Sequence, residues 1–138
     1  ILEYKNTKHK RDLNRYKWEV NDLEKLLNMD SKENKIYLEI KNLLQIRKKQ
    51  QAFHPNATQF TLSLGKKIFG LWRQSTDKMQ SIFALTNVTS KNIKFNLSNI
   101  NLIHDENWCD LISKRNNINA SSYIEFAPFQ TLWLTNKT

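Results

Sequence analysis

The chain of 138 residues is 39% hydrophobic, 11% aromatic and 25% charged, which excludes a disordered protein and provides enough apolar residues for the core of one domain. No apolar run approaches the roughly 20 residues that a transmembrane helix requires, so we expect no membrane partner. The formal net charge is +9, but residues 1–50 (13 basic, 8 acidic) and residues 51–138 (9 basic, 5 acidic) share the excess, so no nucleic-acid partner is expected.

The first third of the chain begins at Ile1, without an initiating Met or a signal-peptide pattern, and this suggests a segment of a longer protein. A polar stretch is followed by a first candidate helix. Leu23, Leu26 and Leu27 lie at helical spacing. The sequence therefore predicts a helix over residues 20–27, in which Asn21 or Asp22 can cap the first turn.

A second predicted helix begins after Ser31, a residue type that caps helix N-termini. One face carries Ile36, Ile40, Leu43, Leu44 and Arg47. Leu38 and Ile46 fall outside that stripe. Because a helix that is apolar on more than one side is usually held between two layers, we expect this helix to be clamped. It ends before Pro55, which cannot continue a helix.

From about residue 57 onward, apolar and polar residues alternate with a period of two. The candidate strands cover residues 60–64, 68–73, 81–88, 93–97, 108–112, 123–126 and 131–134. Short strands at this spacing indicate an antiparallel β-sandwich of Greek-key type. The predicted fold is mainly β with two N-terminal helices, divided into residues 1–54 and 55–138. Because the chain has only two glycines, we expect its asparagines to supply positive φ at many turns.

The sequence offers no assembled active site. Asp105 and Asp110 lie on either side of Trp108 in a polar stretch, with no sign of an apolar pocket that would raise a pKa. The three histidines, which share no metal-ligand spacing, are His9, His54 and His104. We therefore expect no catalytic residue, no metal and no cofactor in this chain.

A single cysteine, Cys109, excludes an intrachain disulfide and a Cys-based zinc site. We interpret it as a small core residue of a protein in a reducing, cytoplasmic compartment. The densest basic runs, residues 8–11 and 47–49, are interpreted as solvated faces rather than phosphate-binding stripes. A basic nucleic-acid-binding domain remains an alternative.

The aromatic residues leave a carbohydrate-binding module as another alternative. Trp72, Trp108 and Trp133, together with Phe129, could form a flat platform on which a sugar ring stacks. Packing of these residues in the core of a sandwich is the simpler interpretation, and it is the one we predict.

Six strings in a fixed order resemble one family. They are Arg-Asp-Leu-Asn-Arg (11–15), Leu-Leu-Gln-Ile-Arg (43–47), Gln-Ala-Phe-His-Pro-Asn (51–56), Leu-Thr-Asn-Val-Thr (85–89), Asp-Leu-Ile-Ser (110–113) and Ala-Pro-Phe-Gln-Thr-Leu-Trp-Leu (127–134). The order resembles the C-terminal quarter of glycoside hydrolase family 13 enzymes of the sucrose phosphorylase subfamily. The third and sixth strings resemble sucrose-6-phosphate and glucosylglycerate phosphorylases more than sucrose phosphorylase itself.

The resemblance implies a (β/α)8 barrel followed by a β-sandwich, called domain C. Residues 1–18 would be the loop after the eighth barrel strand, the helices would close the barrel, and residues from 55 onward would be domain C. This chain would then be a non-catalytic structural domain whose partner is the barrel of the parent enzyme. Separated from the barrel, it would expose a helix face that favours a homodimer.

The family's chemistry is retaining glucosyl transfer to phosphate, in which an Asp nucleophile and a Glu acid/base act in turn. The resemblance places these residues upstream of Ile1, so the sugar and the phosphate would be partners of the parent only. Arg15 matches the family's glucose-contacting arginine, since a guanidinium can donate to two adjacent hydroxyls. Asp12 would help to orient the same loop. In the isolated chain, the alternative for both residues is a disordered basic terminus.

Overall fold

The computed structural model describes residue 8, residues 17–100 and residues 107–137. The chain divides into two compact units, residues 1–42 and 43–138. Helix α1 spans Val20–Asn28 and helix α2 spans Lys32–Lys48. No helix in the described ranges combines the length and the apolar character needed to cross a bilayer.

The two helices begin in different ways. Ser31 caps α2 as predicted, because its Oγ accepts a hydrogen bond of 3.0 Å from the backbone N–H of Asn34. The predicted cap of α1 is wrong. That helix begins one residue earlier than Asn21, after an extended Glu19 that makes no side-chain cap bond, so Asn21 and Asp22 already lie inside the first turn.

Within the described ranges, seven strands follow the helices. They are β1 (Thr58–Leu62), β2 (Ile68–Gln74), β3 (Ser81–Asn87), β4 (Ile93–Asn96), β5 (Cys109–Asp110), β6 (Tyr123–Phe126) and β7 (Thr131–Thr135). A five-stranded sheet has the order β1-β2-β3-β7-β5, and β4 pairs with β6 in a second sheet. Every pairing is antiparallel. The prediction of a mainly β fold preceded by two helices is confirmed.

The core lies between the two sheets. Phe83 and Leu85 of β3 lie on one face of the larger sheet, opposite Leu134 and Leu132 of the neighbouring β7. The smaller sheet contributes buried side chains from β4 and β6, and Trp108 packs among them with 1% of its surface exposed. Each such side chain stabilises the fold by about 1.5–3 kcal/mol through removal from water. The alternation read from the sequence therefore marks this core.

The asparagines shape turns by hydrogen bonding rather than by positive φ, which corrects the prediction. Among the described asparagines, only Asn117 has a positive φ. The side-chain oxygens of Asn87, Asn96 and Asn119 instead accept hydrogen bonds from the backbone N–H two residues later, at 2.9, 3.0 and 2.8 Å. This Asx-turn geometry closes a turn without requiring a left-handed backbone.

Candidate interaction surface

The short 3₁₀ turn Gln51–Phe53 lies on the face of the larger sheet that points away from the core. Ala52 is fully buried there, and Ile82 of β3 is fully buried on the same face. Phe53 packs edge-on against Trp133, with ring centroids 4.9 Å apart. Residues 51–56, one of the six strings that carry the family resemblance, therefore cover part of the outer face of the larger sheet.

Arg73 of β2 holds this turn in place. Its guanidinium donates to the backbone oxygens of Ala52 and His54, at 2.8 and 2.7 Å, and to Oε1 of Gln59 at 2.9 Å. Hydrogen bonds from a charged donor contribute about 1.5–3 kcal/mol, more than neutral ones. Arg73 thus ties β1, β2 and the turn together.

Gln80 forms the second attachment. Its Oε1 accepts from the backbone N–H of Ala52 at 2.9 Å, and its Nε2 donates to Gln50 Oε1 at 2.6 Å and to the Lys137 backbone oxygen at 2.9 Å. Only 4% of Gln80 is exposed, so each of these groups has exchanged water for a protein partner. No local sequence pattern indicates the roles of Arg73 and Gln80, because their partners are 14–57 residues away in the chain.

A second polar cluster joins the strings 85–89 and 127–134. Asn87, which is fully buried, donates from Nδ2 to the backbone oxygens of Lys91 and Ala127 at 2.7 and 2.9 Å. Its Oδ1 accepts from both the backbone N–H and the hydroxyl of Thr89 at 2.9 Å. Gln130 closes the other turn through its Oε1, which accepts from Ala127 N–H at 2.8 Å.

The interpretation of Asp110, the first residue of string 110–113, as part of a polar stretch is wrong. The candidate strand over residues 108–112, which includes Asp110, is confirmed in part. Asp110 lies in β5 with 1% of its surface exposed. Its carboxylate accepts from the backbone N–H groups of Ile112, Ser113 and Trp133, at 3.3, 2.9 and 2.8 Å. Through these bonds the carboxylate holds the turn that follows β5 against β7. The role of Asp110 is therefore structural.

Two titratable groups have altered proton affinities. Burial, with a further contribution from the neighbouring Asp110, raises the pKa of the Cys109 thiol. Cys109 is 8% exposed, which confirms the prediction of a small core residue. The Ser75 hydroxyl and the backbone N–H of Met79 lower the pKa of Asp77 by hydrogen bonding to its carboxylate in the β2–β3 turn.

The proposed sugar-contacting residues Arg15 and Asp12 lie outside the described residues, as do His9, His104 and Asp105. His54 lies in the turn after the 3₁₀ segment, where its Nδ1 accepts from the N–H of Asn56 at 3.2 Å. Within the described ranges, no three His, Cys, Asp or Glu side chains converge in a way that could hold a metal ion.

The tryptophans do not share a platform. Trp108 is buried in the core, as predicted, and Trp72 packs against the core from β2. Trp133 lies on the opposite face of the sheet, beneath Phe53. Phe129 is 66% exposed in a separate turn, so the prediction of core packing is wrong for this residue. The four rings therefore do not form one flat stacking surface, and the carbohydrate-binding alternative loses its main support.

A cleft of about 550 Å³ lies beside the end of α2. Its lining includes the basic run Arg47, Lys48 and Lys49 together with Thr76 and Asp77. The Arg47 guanidinium lies 6.0 Å from the ring centroid of Phe53. The basic run therefore borders a water-accessible cleft.

The helices carry apolar side chains that the described structure leaves in contact with solvent. No residue of α1 or α2 is buried. The set that we call the helix surface comprises Val20, Leu23, Ile36, Tyr37, Leu38 and Ile40, each at least 36% exposed. Runs of exposed apolar side chains on helices are typical of surfaces that pack against another protein part. The helix surface is the candidate functional site of this chain.

No protein-family model and no curated protein matches the chain. Among solved structures, AmyP in complex with maltose is similar at 18% sequence identity with a TM-score of 0.65. A variant of AmyP in complex with maltotriose is similar at 18% identity with a TM-score of 0.62. Each match covers 80% of this chain and 22% of the AmyP chain, so this chain spans about a fifth of the length of these proteins. The likeness shows that the fold is shared.

Proposed function

We propose that this chain is the non-catalytic C-terminal structural domain of a larger α-amylase-type enzyme of glycoside hydrolase family 13. In this role, α1 and α2 pack against the catalytic barrel, and the sandwich closes one end of it. The helix surface carries the proposal, because its exposed apolar side chains favour an apolar partner. Removing each such side chain from water would contribute on the order of 1 kcal/mol or more.

The fold shared with AmyP supports this role. AmyP was crystallised with maltose, and the matched region is 22% of its chain. A carbohydrate-active parent follows as part of the proposal. Separated from such a parent, the chain would use the helix surface to form a homodimer.

The finer assignment is to the sucrose phosphorylase subfamily, with glucosyl transfer from sucrose, its phosphate ester or glucosylglycerate to phosphate. It is supported by the sequence strings 51–56 and 127–134. In the same proposal, Arg15 donates to the hydroxyls of the glucosyl group and Asp12 orients its loop. The parent barrel supplies the nucleophile and the acid/base.

The test begins with the native polypeptide, captured from its source with an antibody against the chain. We expect a polypeptide several times longer that releases glucose 1-phosphate from one of the three donors only when phosphate is present. The matched control is the 138-residue chain alone, which should release none. A native polypeptide no longer than this chain would overturn the domain role. Sugar release without phosphate would overturn the subfamily assignment alone.

A further inference from the structure

An aromatic row crosses the larger sheet and ends at its edge. Phe60, Trp72 and Phe83 lie at paired positions of β1, β2 and β3. Their ring centroids are 4.9 and 5.7 Å apart, and both pairs are stacked. The row begins in the core, where Phe83 contacts Trp108, and it ends at Phe60, which is 45% exposed. Its last ring therefore has a stacking partner on one side only.

Strand β1, which carries Phe60, is an edge strand that pairs only with β2 within the described ranges. Its sequence, Thr-Gln-Phe-Thr-Leu, contains no charge and no proline. Natural edge strands usually carry a Lys, a Pro or a bulge that prevents pairing with another strand. In a chain with a net charge of +9, this uncharged edge is a place where two copies can meet without direct repulsion.

The opposite edge of the sheet is protected. Strand β5 has only two residues, Cys109 and Asp110, and both are buried. A short, covered strand offers no template for a further strand. The two edges of the larger sheet therefore differ, and of these two described edge strands it is β1 that presents an accessible row of backbone donors and acceptors.

We propose that β1 pairs antiparallel with β1 of a second copy of this chain, so that two five-stranded sheets become one. A two-fold axis beside Phe60 places this residue opposite its own counterpart, and Thr58 opposite Leu62. Directly opposed side chains in antiparallel strands lie about 4.5–5.5 Å apart, which is within stacking reach for two phenyl rings. The two aromatic rows then become continuous across the interface.

A second copy is the occupant because the strand is complementary to itself. An antiparallel pair related by a two-fold axis brings the same strand to both sides. With no charge in β1, this register opposes no like charges. The inference concerns the sheet edge and does not depend on the proposed function, which uses the helix surface.

The first experiment is sedimentation velocity of the 138-residue chain over a concentration series, with Ile36→Lys and Ile40→Lys in every sample so that the exposed helix surface cannot mediate a dimer. We expect a monomer–dimer equilibrium in this background. Phe60→Lys, which places two ammonium groups opposite each other at the two-fold axis, should raise the dissociation constant at least about tenfold. The matched control is Phe69→Lys, because Phe69 is 51% exposed on β2 but faces the other side of the sheet. It should leave the dissociation constant within about twofold.

The second experiment is hydrogen exchange of β1 amides in the unmodified chain. It tests the β1–β1 pairing even if the Phe60→Lys variant does not fold. The outward-facing amides of β1 should exchange more slowly as protein concentration rises. A chain that stays monomeric, or a dimer that survives Phe60→Lys unchanged, would overturn the proposal. Amides of β1 that are equally protected at all concentrations would also overturn it, because a segment of the same chain would then cover the edge.

Discussion

At the scale of single residues, a few buried or half-buried polar side chains hold the loops against the sheets. Arg73, Gln80, Asn87 and Asp110 each make at least three hydrogen bonds, and most of their partners are backbone groups. Buried backbone groups need such partners, because an unsatisfied one costs about 1–3 kcal/mol. These residues therefore hold the backbone of strings 51–56, 85–89, 110–113 and 127–134 in place.

Arg73→Met should lower the free energy of unfolding by about 2 kcal/mol or more, since Met keeps the length of the side chain but donates none of its three hydrogen bonds. Urea unfolding followed by tryptophan fluorescence measures the change. The matched control is Arg115→Met, at an exposed arginine, which should change stability by less than about 0.5 kcal/mol. Equal losses in the two variants would contradict the role given to Arg73.

Asn87→Asp tests the second polar cluster with almost no change in shape. A carboxylate cannot donate to the backbone oxygens of Lys91 and Ala127, and it would be a buried charge facing two acceptors. We expect a loss of about 3 kcal/mol or more in the free energy of unfolding. Asn119→Asp is the control, because this exposed side chain uses its oxygen as an acceptor, which Asp retains. A loss in both variants of similar size would refute the argument.

At the scale of elements, the strands were predictable and the buried polar anchors were not. Alternation with a period of two identified β2, β3, β6 and β7 to within one residue, because one face of each strand packs in the core. Strand β5 is shorter than predicted, with two residues, and Asp110 in it is buried. Its burial depends on backbone donors from β7, which a local pattern does not contain.

The helices show the limit of periodicity in another way. The apolar residues of α2 predicted a helix held between layers, and the helix is present. Nevertheless, none of its side chains is buried within the described structure, and Leu43 and Ile46 are only half-buried. Periodicity reports which side chains avoid water, but it does not report which surface covers them.

Two isoleucines allow the difference between a buried and an exposed apolar side chain to be measured. Ile82 on β3 is fully buried, whereas Ile36 on α2 is 59% exposed. In the 138-residue chain, Ile82→Ala should cost about 2–5 kcal/mol of the free energy of unfolding, because it leaves a cavity. Ile36→Ala should cost less than about 0.5 kcal/mol, with urea unfolding of both as the measurement. A large loss for Ile36→Ala in this chain would show that the helix surface is already covered.

At the scale of the whole molecule, a sandwich with a packed core is joined to helices that expose apolar side chains. The sequence predicted the fold class from local patterns. The proposed sugar contact by Arg15 and Asp12 lies outside the described residues and stays a prediction. No catalytic constellation was predicted, since the resemblance places the reacting carboxylates on a barrel that this chain does not contain.

The most direct test compares hydrogen–deuterium exchange of α1 and α2 in the 138-residue chain and in the native polypeptide purified from its source. We predict that the amides of both helices exchange at least about a hundredfold more slowly in the native polypeptide, because packing against the barrel suppresses local opening. Strands β3 and β7, which lie inside the larger sheet, should exchange alike in both and serve as the internal control. Equal exchange of the helices in the two samples would contradict a structural domain that packs against an enzyme barrel.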